Sequence, residues 1–154
     1  MTAPAEGMKA PQFSLHRDGG ESVALSDYSG RKLVLFFYPK DDTSGCTAEA
    51  IAFSQLQDKF DAAGVAILGM SPDSPKKHDK FIAKHELTVP LASDEEKTTL
   101  EAYGVWVEKS MYGRKYMGVE RSTFLIDEAG KIEKAWRKVK VPGHAEAVLE
   151  AVTA

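Results

Sequence analysis

KLVLFFYPKDDTSGCTAEAI, residues 32–51, changes character twice in a short span. Lys32 to Tyr38 is an unbroken apolar run rich in β-formers and closed by Pro39, which suits a strand covered on both faces. Beyond a polar turn the pattern becomes helical: Phe53, Leu56 and Phe60 recur at spacings of three and four, from about Ser44 to Ala63, and Gly64 ends it. A buried strand that turns tightly into a helix is the first half of a βαβ unit. VAILGM (65–70) reads as its second strand and PKKHDKFIAKHEL (75–87), opened by Pro75, as a second helix.

Working outward, QFSL and ESVAL read as short strands around the turn-former DGG at 18–20, after a loose N-terminus. A short helix is expected around Glu95 to Tyr103. STFLID and KIEKAWRKV, joined by a turn at EAG, read as a hairpin, and a last helix starts at about His144. Parallel βαβ elements with an antiparallel hairpin at one side predict an α/β, thioredoxin-like fold: a central mixed sheet flanked by helices, in one domain over 1–154.

With 154 residues, 43% of them hydrophobic, the chain can bury a sizeable core. A formal charge of -3 and a pI near 5.8 argue against a nucleic-acid or anionic-membrane binder. The opening MTAPAEGMKAPQ lacks a basic stretch followed by an apolar core, so no signal peptide is expected, and LVLFFY is too short to span a bilayer as a helix. A cytoplasmic location is expected. The single cysteine, Cys46, excludes an internal disulfide and any zinc site built on several thiolates. His16, His78, His85 and His144 show no metal-ligand spacing and are expected at the surface. Trp106, Tyr112 and Tyr116 are candidates for an entrance, though packing at a core or rim is the commoner role of such aromatics.

Cys46 falls in the first turn of the helix, where backbone N–H groups lack intrahelical partners and the helix dipole is positive; both favour thiolate. Asp41 and Asp42 oppose it if they are close. A free cysteine is often just a small buried hydrophobe. The company of Cys46 points elsewhere: Pro39 has no N–H and can wall off water, and the Thr43 hydroxyl can donate to a reacting oxygen while accepting from a backbone amide.

Pro39, Thr43 and Cys46 match the P-x-x-x-T-x-x-C motif of the peroxiredoxins, and FFYPKDDTSGCTAEA (36–50) resembles their bacterioferritin-comigratory, or PrxQ, subfamily. MKAPQFSL (8–15), GVWVEKSMYGRKYMG (104–118) and ERSTFLID (120–127) resemble it in the same order. The resemblance implies a thiol peroxidase acting on hydrogen peroxide and organic hydroperoxides. Cys46 becomes the peroxidatic cysteine, Thr43 its hydrogen-bonding partner, Pro39 its shield and Arg121 the distant guanidinium of the pocket. Glu49, one helical turn beyond Cys46, is implied as an accessory group that orients Arg121. No metal, flavin or nicotinamide cofactor is implied, and a monomer is.

Many members of the subfamily carry a second, resolving cysteine five positions after the first, or on the following helix. Here Ile51 stands at the former place, and 75–87 contains no cysteine. A sulfenic acid on Cys46 therefore needs an external thiol: thioredoxin, glutaredoxin with glutathione, or another small thiol. Two alternatives differ in class. A thiol–disulfide oxidoreductase requires a C-x-x-C pair that the chain lacks. A non-catalytic interaction or holdase module would have no use for an intact Pro39, Thr43, Cys46 and Arg121 set.

Overall fold

The computed structural model describes residues 4–153. A hairpin of β1 (Ser14–Arg17) and β2 (Ser22–Ala24) leads to β3 (Lys32–Phe37), α1 (Ser44–Ala62), β4 (Val65–Ser71), α2 (Pro75–His85) and β5 (Leu91–Ser93). Then come α3 (Thr98–Ala102), β6 (Trp106–Met111), β7 (Arg114–Val119), β8 (Ser122–Ile126), β9 (Ile132–Trp136) and α4 (His144–Thr153). Seven strands form one mixed sheet in the order β2-β1-β5-β4-β3-β8-β9, while β6 and β7 pair as a separate ribbon. β3, β4 and β5 run parallel, and the hairpin expected from STFLID and KIEKAWRKV is the β8–β9 edge.

The continuous apolar run of β3 follows from its central place. Leu33, Leu35 and Phe37 enter one core with Leu68, Tyr103 and Phe124; Val34, Phe36 and Tyr38 enter the other, beneath α1, α2 and α4, with Phe53, Phe60 and Phe81. Alternate side chains point to opposite faces, so a strand with helices or loops on both sides has no polar side to show. α1 buries Cys46, Glu49, Ala50, Phe53 and Phe60, and the stripe at spacings of three and four carries the cysteine inward with it.

The strand register locates the site. Phe37 pairs with Ser122, so the residues just beyond, Tyr38-Pro39 and Arg121, meet at one end of the sheet, where α1 begins.

Four expectations change. The N-terminal stretch is not loose from Gly7 onward: Gly7 and Ala10 donate to the carbonyls of Ile132 and Gly130, and Lys9 bridges Lys131, while residues 1–3 lie outside the described residues. The third helix is shorter than expected. His78 and His144 are not surface groups, being 0% and 7% exposed. His78 precedes Phe81 by one turn on the packed face of α2, and His144 begins α4 between the rings of Phe53 and Trp136. Tyr112 is no packing residue; it is 98% exposed at the tip of the β6–β7 ribbon.

Candidate active site

Thr43 is the N-cap of α1, with φ -88° and ψ 156°, but its side chain makes no capping bond. Instead its hydroxyl donates to the Lys40 carbonyl at 2.8 Å, which closes the turn after Pro39. The first-turn N–H groups beside Cys46 are thus not taken up by the Thr43 side chain. Thr43 is exposed, Pro39 half-buried and Cys46 1% exposed.

Arg121 arrives from the turn before β8, where its carbonyl accepts from Val139 N at 2.9 Å. Its guanidinium spans two acceptors: Nη2 donates to Cys46 Sγ at 3.2 Å and Nη1 to Glu49 Oε1 at 2.7 Å. A planar fork suits this double reach. Gly45 makes room for it, since a Cβ there would stand 3.3 Å from Arg121 Nη2.

Glu49 is 1% exposed and its Oε2 has no partner. Burial pushes its pKa up to about 7 against the pull of Arg121. Burial also works against the charge of Arg121, but Glu49 and Cys46 outweigh it and hold its pKa above the ordinary value. The guanidinium stays charged, so the carboxyl is the member of the pair whose proton moves near neutral pH.

The two aspartates that threatened the thiolate turn away, towards α2. Asp41 accepts from Tyr38 Oη at 2.6 Å and pairs with His78 Nδ1 at 2.6 Å; His78 Nε2 donates to the Ala92 carbonyl at 3.0 Å. Asp42, held at φ 63°, accepts from Lys84 Nζ and His85 Nε2, both at 2.8 Å. Those two bonds lower the Asp42 pKa. The Pro39–Thr43 loop is therefore pinned to α2 by these side-chain bonds, the Lys84–Asp42 ion pair among them, with Asp41 also tied through its N–H to Asp73 at 2.8 Å.

The structure brings Cys46, Arg121 and Glu49 together, and sequence reasoning missed what surrounds them. His144 Nε2 lies 2.8 Å from Thr123 Oγ1, and burial together with Arg121 depresses its pKa to about 4. Burial, and after it Arg121, lowers the pKa of Lys109 on the ribbon against the pull of Cys46 and Glu120. The spacing of His78 and Phe81 was a usable signal for the buried histidine; neither His144 nor Lys109 sits in a periodic pattern that singles it out. Among the described residues no group of three His, Cys, Asp or Glu side chains is placed to hold a metal ion.

A thiol at a helix start that accepts from a half-buried guanidinium has the surroundings a nucleophile needs. Residues 7–135 match the AhpC/TSA family. The chain belongs to that family, in its Bcp peroxiredoxin branch. It is 50% identical over 143 residues to the putative peroxiredoxin bcp of Coxiella burnetii, covering 93% of this chain and 95% of that one. To peroxiredoxin Bcp of Bacillus subtilis it is 50% identical over 144 residues, covering 94% and 92%. A solved structure of the Xanthomonas campestris bacterioferritin comigratory protein, described for its alkyl peroxide reduction activity, superimposes with a TM-score of 0.91 at 44% identity, covering 97% of this peroxiredoxin and 98% of that chain. Among the described residues of this peroxiredoxin, no helix is long and apolar enough to cross a membrane.

Proposed function

We propose that Cys46 carries the activity of this thiol-dependent peroxidase, through a sulfenic acid that an external thiol reduces. The observation that carries this reading is the 3.2 Å bond from Arg121 Nη2 to Cys46 Sγ at the start of α1. The Cys46 thiolate attacks one peroxide oxygen; the S–O bond forms as the O–O bond breaks, and the departing oxygen takes a proton to leave as water or alcohol. Negative charge grows on that oxygen, so a fixed cation beside the sulfur lowers the barrier more than it stabilises the ground state.

In this reading Glu49 holds Arg121 in register, and the Thr43 hydroxyl exchanges the Lys40 carbonyl for a peroxide oxygen. Pro39, half-buried and without an N–H, limits water at the sulfur. Hydrogen peroxide and organic hydroperoxides are both substrates, the latter in keeping with the alkyl peroxide reduction described for the Xanthomonas campestris protein. The cycle runs in a single-domain, cytoplasmic monomer, with thioredoxin, glutaredoxin with glutathione, or another small thiol as reductant. Peroxide consumption measured with each of these donors tests the proposal: turnover is expected with at least one, and none with Cys46→Ser. Wild-type rates in Cys46→Ser would overturn it.

A further inference from the structure

The hydroxyl of Thr43 is held by a peptide unit that is itself held from behind. That unit, between Lys40 and Asp41, is bonded at both ends: its carbonyl accepts from Thr43 Oγ1 at 2.8 Å, and its N–H donates to Asp73 Oδ2 at 2.8 Å. The peptide is trans, so its C=O and N–H share one rigid plane and point opposite ways. Whatever holds the N–H therefore decides where the carbonyl aims, and Asp73 reaches Thr43 through a single rigid plate.

The carboxylate of Asp73 is well fixed for this. It stands buried on the connection between β4 and α2, where Oδ2 also accepts from Ser71 Oγ at 2.7 Å and the Asp73 N–H donates to that same oxygen at 3.2 Å. These two bonds set its direction independently of the Pro39–Thr43 loop. The side-chain bonds of Asp41 to Tyr38 Oη and His78 Nδ1 act from beyond its Cα, and leave the Lys40–Asp41 peptide free to turn about the N–Cα bond. A carboxylate on the N–H also polarises the peptide and makes its carbonyl a stronger acceptor.

We infer that Asp73 is a positioning residue for peroxide reduction: through the Lys40–Asp41 peptide it sets where the Thr43 hydroxyl stands and how it is turned, and so how peroxide is seated at Cys46. This rests on the reading that Thr43 bonds the peroxide. The path runs through the hydroxyl and not through the thiol. Peroxide should therefore feel the loss of Asp73, and an electrophile that makes no bond to Thr43 should not.

The test compares single-turnover oxidation of Cys46 by hydrogen peroxide with its alkylation by methyl iodide, which carries no hydrogen-bonding group, in Asp73→Ala, Thr43→Val and the double variant. Thr43→Val is a suitable reference because the Thr43 side chain makes no capping bond, so the substitution removes its bond to Lys40 and leaves the cap as it was. Asp73→Ala is expected to slow oxidation by about ten- to a hundredfold, the scale on which misplacing a reacting group by about 1 Å acts, and to leave alkylation unchanged. In the Thr43→Val background the same substitution should cost no further oxidation rate, because the group it positions is gone. Ser71→Ala, which loosens the carboxylate without removing it, should give a smaller loss with the same coupling, and it decides the question if Asp73→Ala does not fold. Wild-type oxidation in Asp73→Ala, an equal loss of alkylation, or a full additional loss in the Thr43→Val background would overturn the inference while leaving the role of Thr43 intact. Thr43→Val oxidised as fast as wild type would instead remove that role, and this inference with it.

Discussion

Arg121→Met separates the catalytic from the structural duty of the guanidinium. The substitution keeps much of the stem and removes both bonds, the one at 3.2 Å to Cys46 Sγ and the one at 2.7 Å to Glu49 Oε1. Loss of one fixed donor at a developing charge costs on the order of a hundred- to a thousandfold in rate. The stability cost arises at Glu49, which is 1% exposed and already has an unpartnered Oε2. An ionised carboxylate stranded there would cost about 3–5 kcal/mol. Since its pKa stands at about 7 even with Arg121 present, it protonates instead, and the loss settles at about 1–3 kcal/mol, the penalty of an unsatisfied neutral polar group. Arg121→Met combined with Glu49→Met replaces both partners by apolar chains of similar length and should return stability to within about 1 kcal/mol of wild type. It should not return activity. Urea denaturation measures the first quantity and single-turnover oxidation of Cys46 by hydrogen peroxide the second. The reasoning fails if Arg121→Met is oxidised within about threefold of wild type, or if the double variant is no more stable than the single one.

Three further outcomes follow from the same geometry. Because the folded-state pKa of Glu49 is raised from 4.5 to about 7, the folded state holds that proton where the unfolded state has lost it, so this group's contribution to stability falls as pH rises from about 5 to 7, by up to about 3 kcal/mol; Glu49→Gln should flatten that slope in urea titrations, and an unaltered slope would assign it elsewhere. Gly45→Ala should raise helix stability by up to about 1 kcal/mol while slowing Cys46 oxidation, because its Cβ would press on Arg121 Nη2 from 3.3 Å; unchanged oxidation would mean the guanidinium retreats without consequence. Ile51→Cys places a second thiol about 140° around α1 from Cys46, too far round for a disulfide unless the first turns unwind; intact mass after peroxide should show loss of two hydrogens rather than gain of two oxygens, and oxygen gain alone would mean this helix start does not open.

β3, α1, β4 and α2 were legible because their apolar patterns are either unbroken or helically spaced, and both signals are local. The β6–β7 ribbon escaped. Its turn is Tyr112-Gly113, both at positive φ, rather than the Asn-Gly pair that usually announces such a hairpin, and its strands show Glu, Lys and Met to solvent instead of an alternating apolar face. β5 is three residues long and takes its meaning from β4 and β1, which no local pattern reports. At the site, Pro39, Thr43 and Cys46 could be found together because they share one loop and helix start. Arg121 needed the motif resemblance, since only the β3–β8 register brings it across 75 residues to the sulfur. The roles of His78, Lys84 and His85 as partners of Asp41 and Asp42 depend on where α2 packs, and that is a property of the assembled sheet.

Trapping with dimedone after one equivalent of hydrogen peroxide, read by peptide mass spectrometry, tests the central claim most directly. A peroxidatic Cys46 predicts stoichiometric peroxide loss and one adduct per chain, on the peptide that contains Cys46, with none formed when a reducing thiol is added first. Peroxide left unconsumed, or oxygen appearing on methionines while Cys46 stays a free thiol, would contradict it.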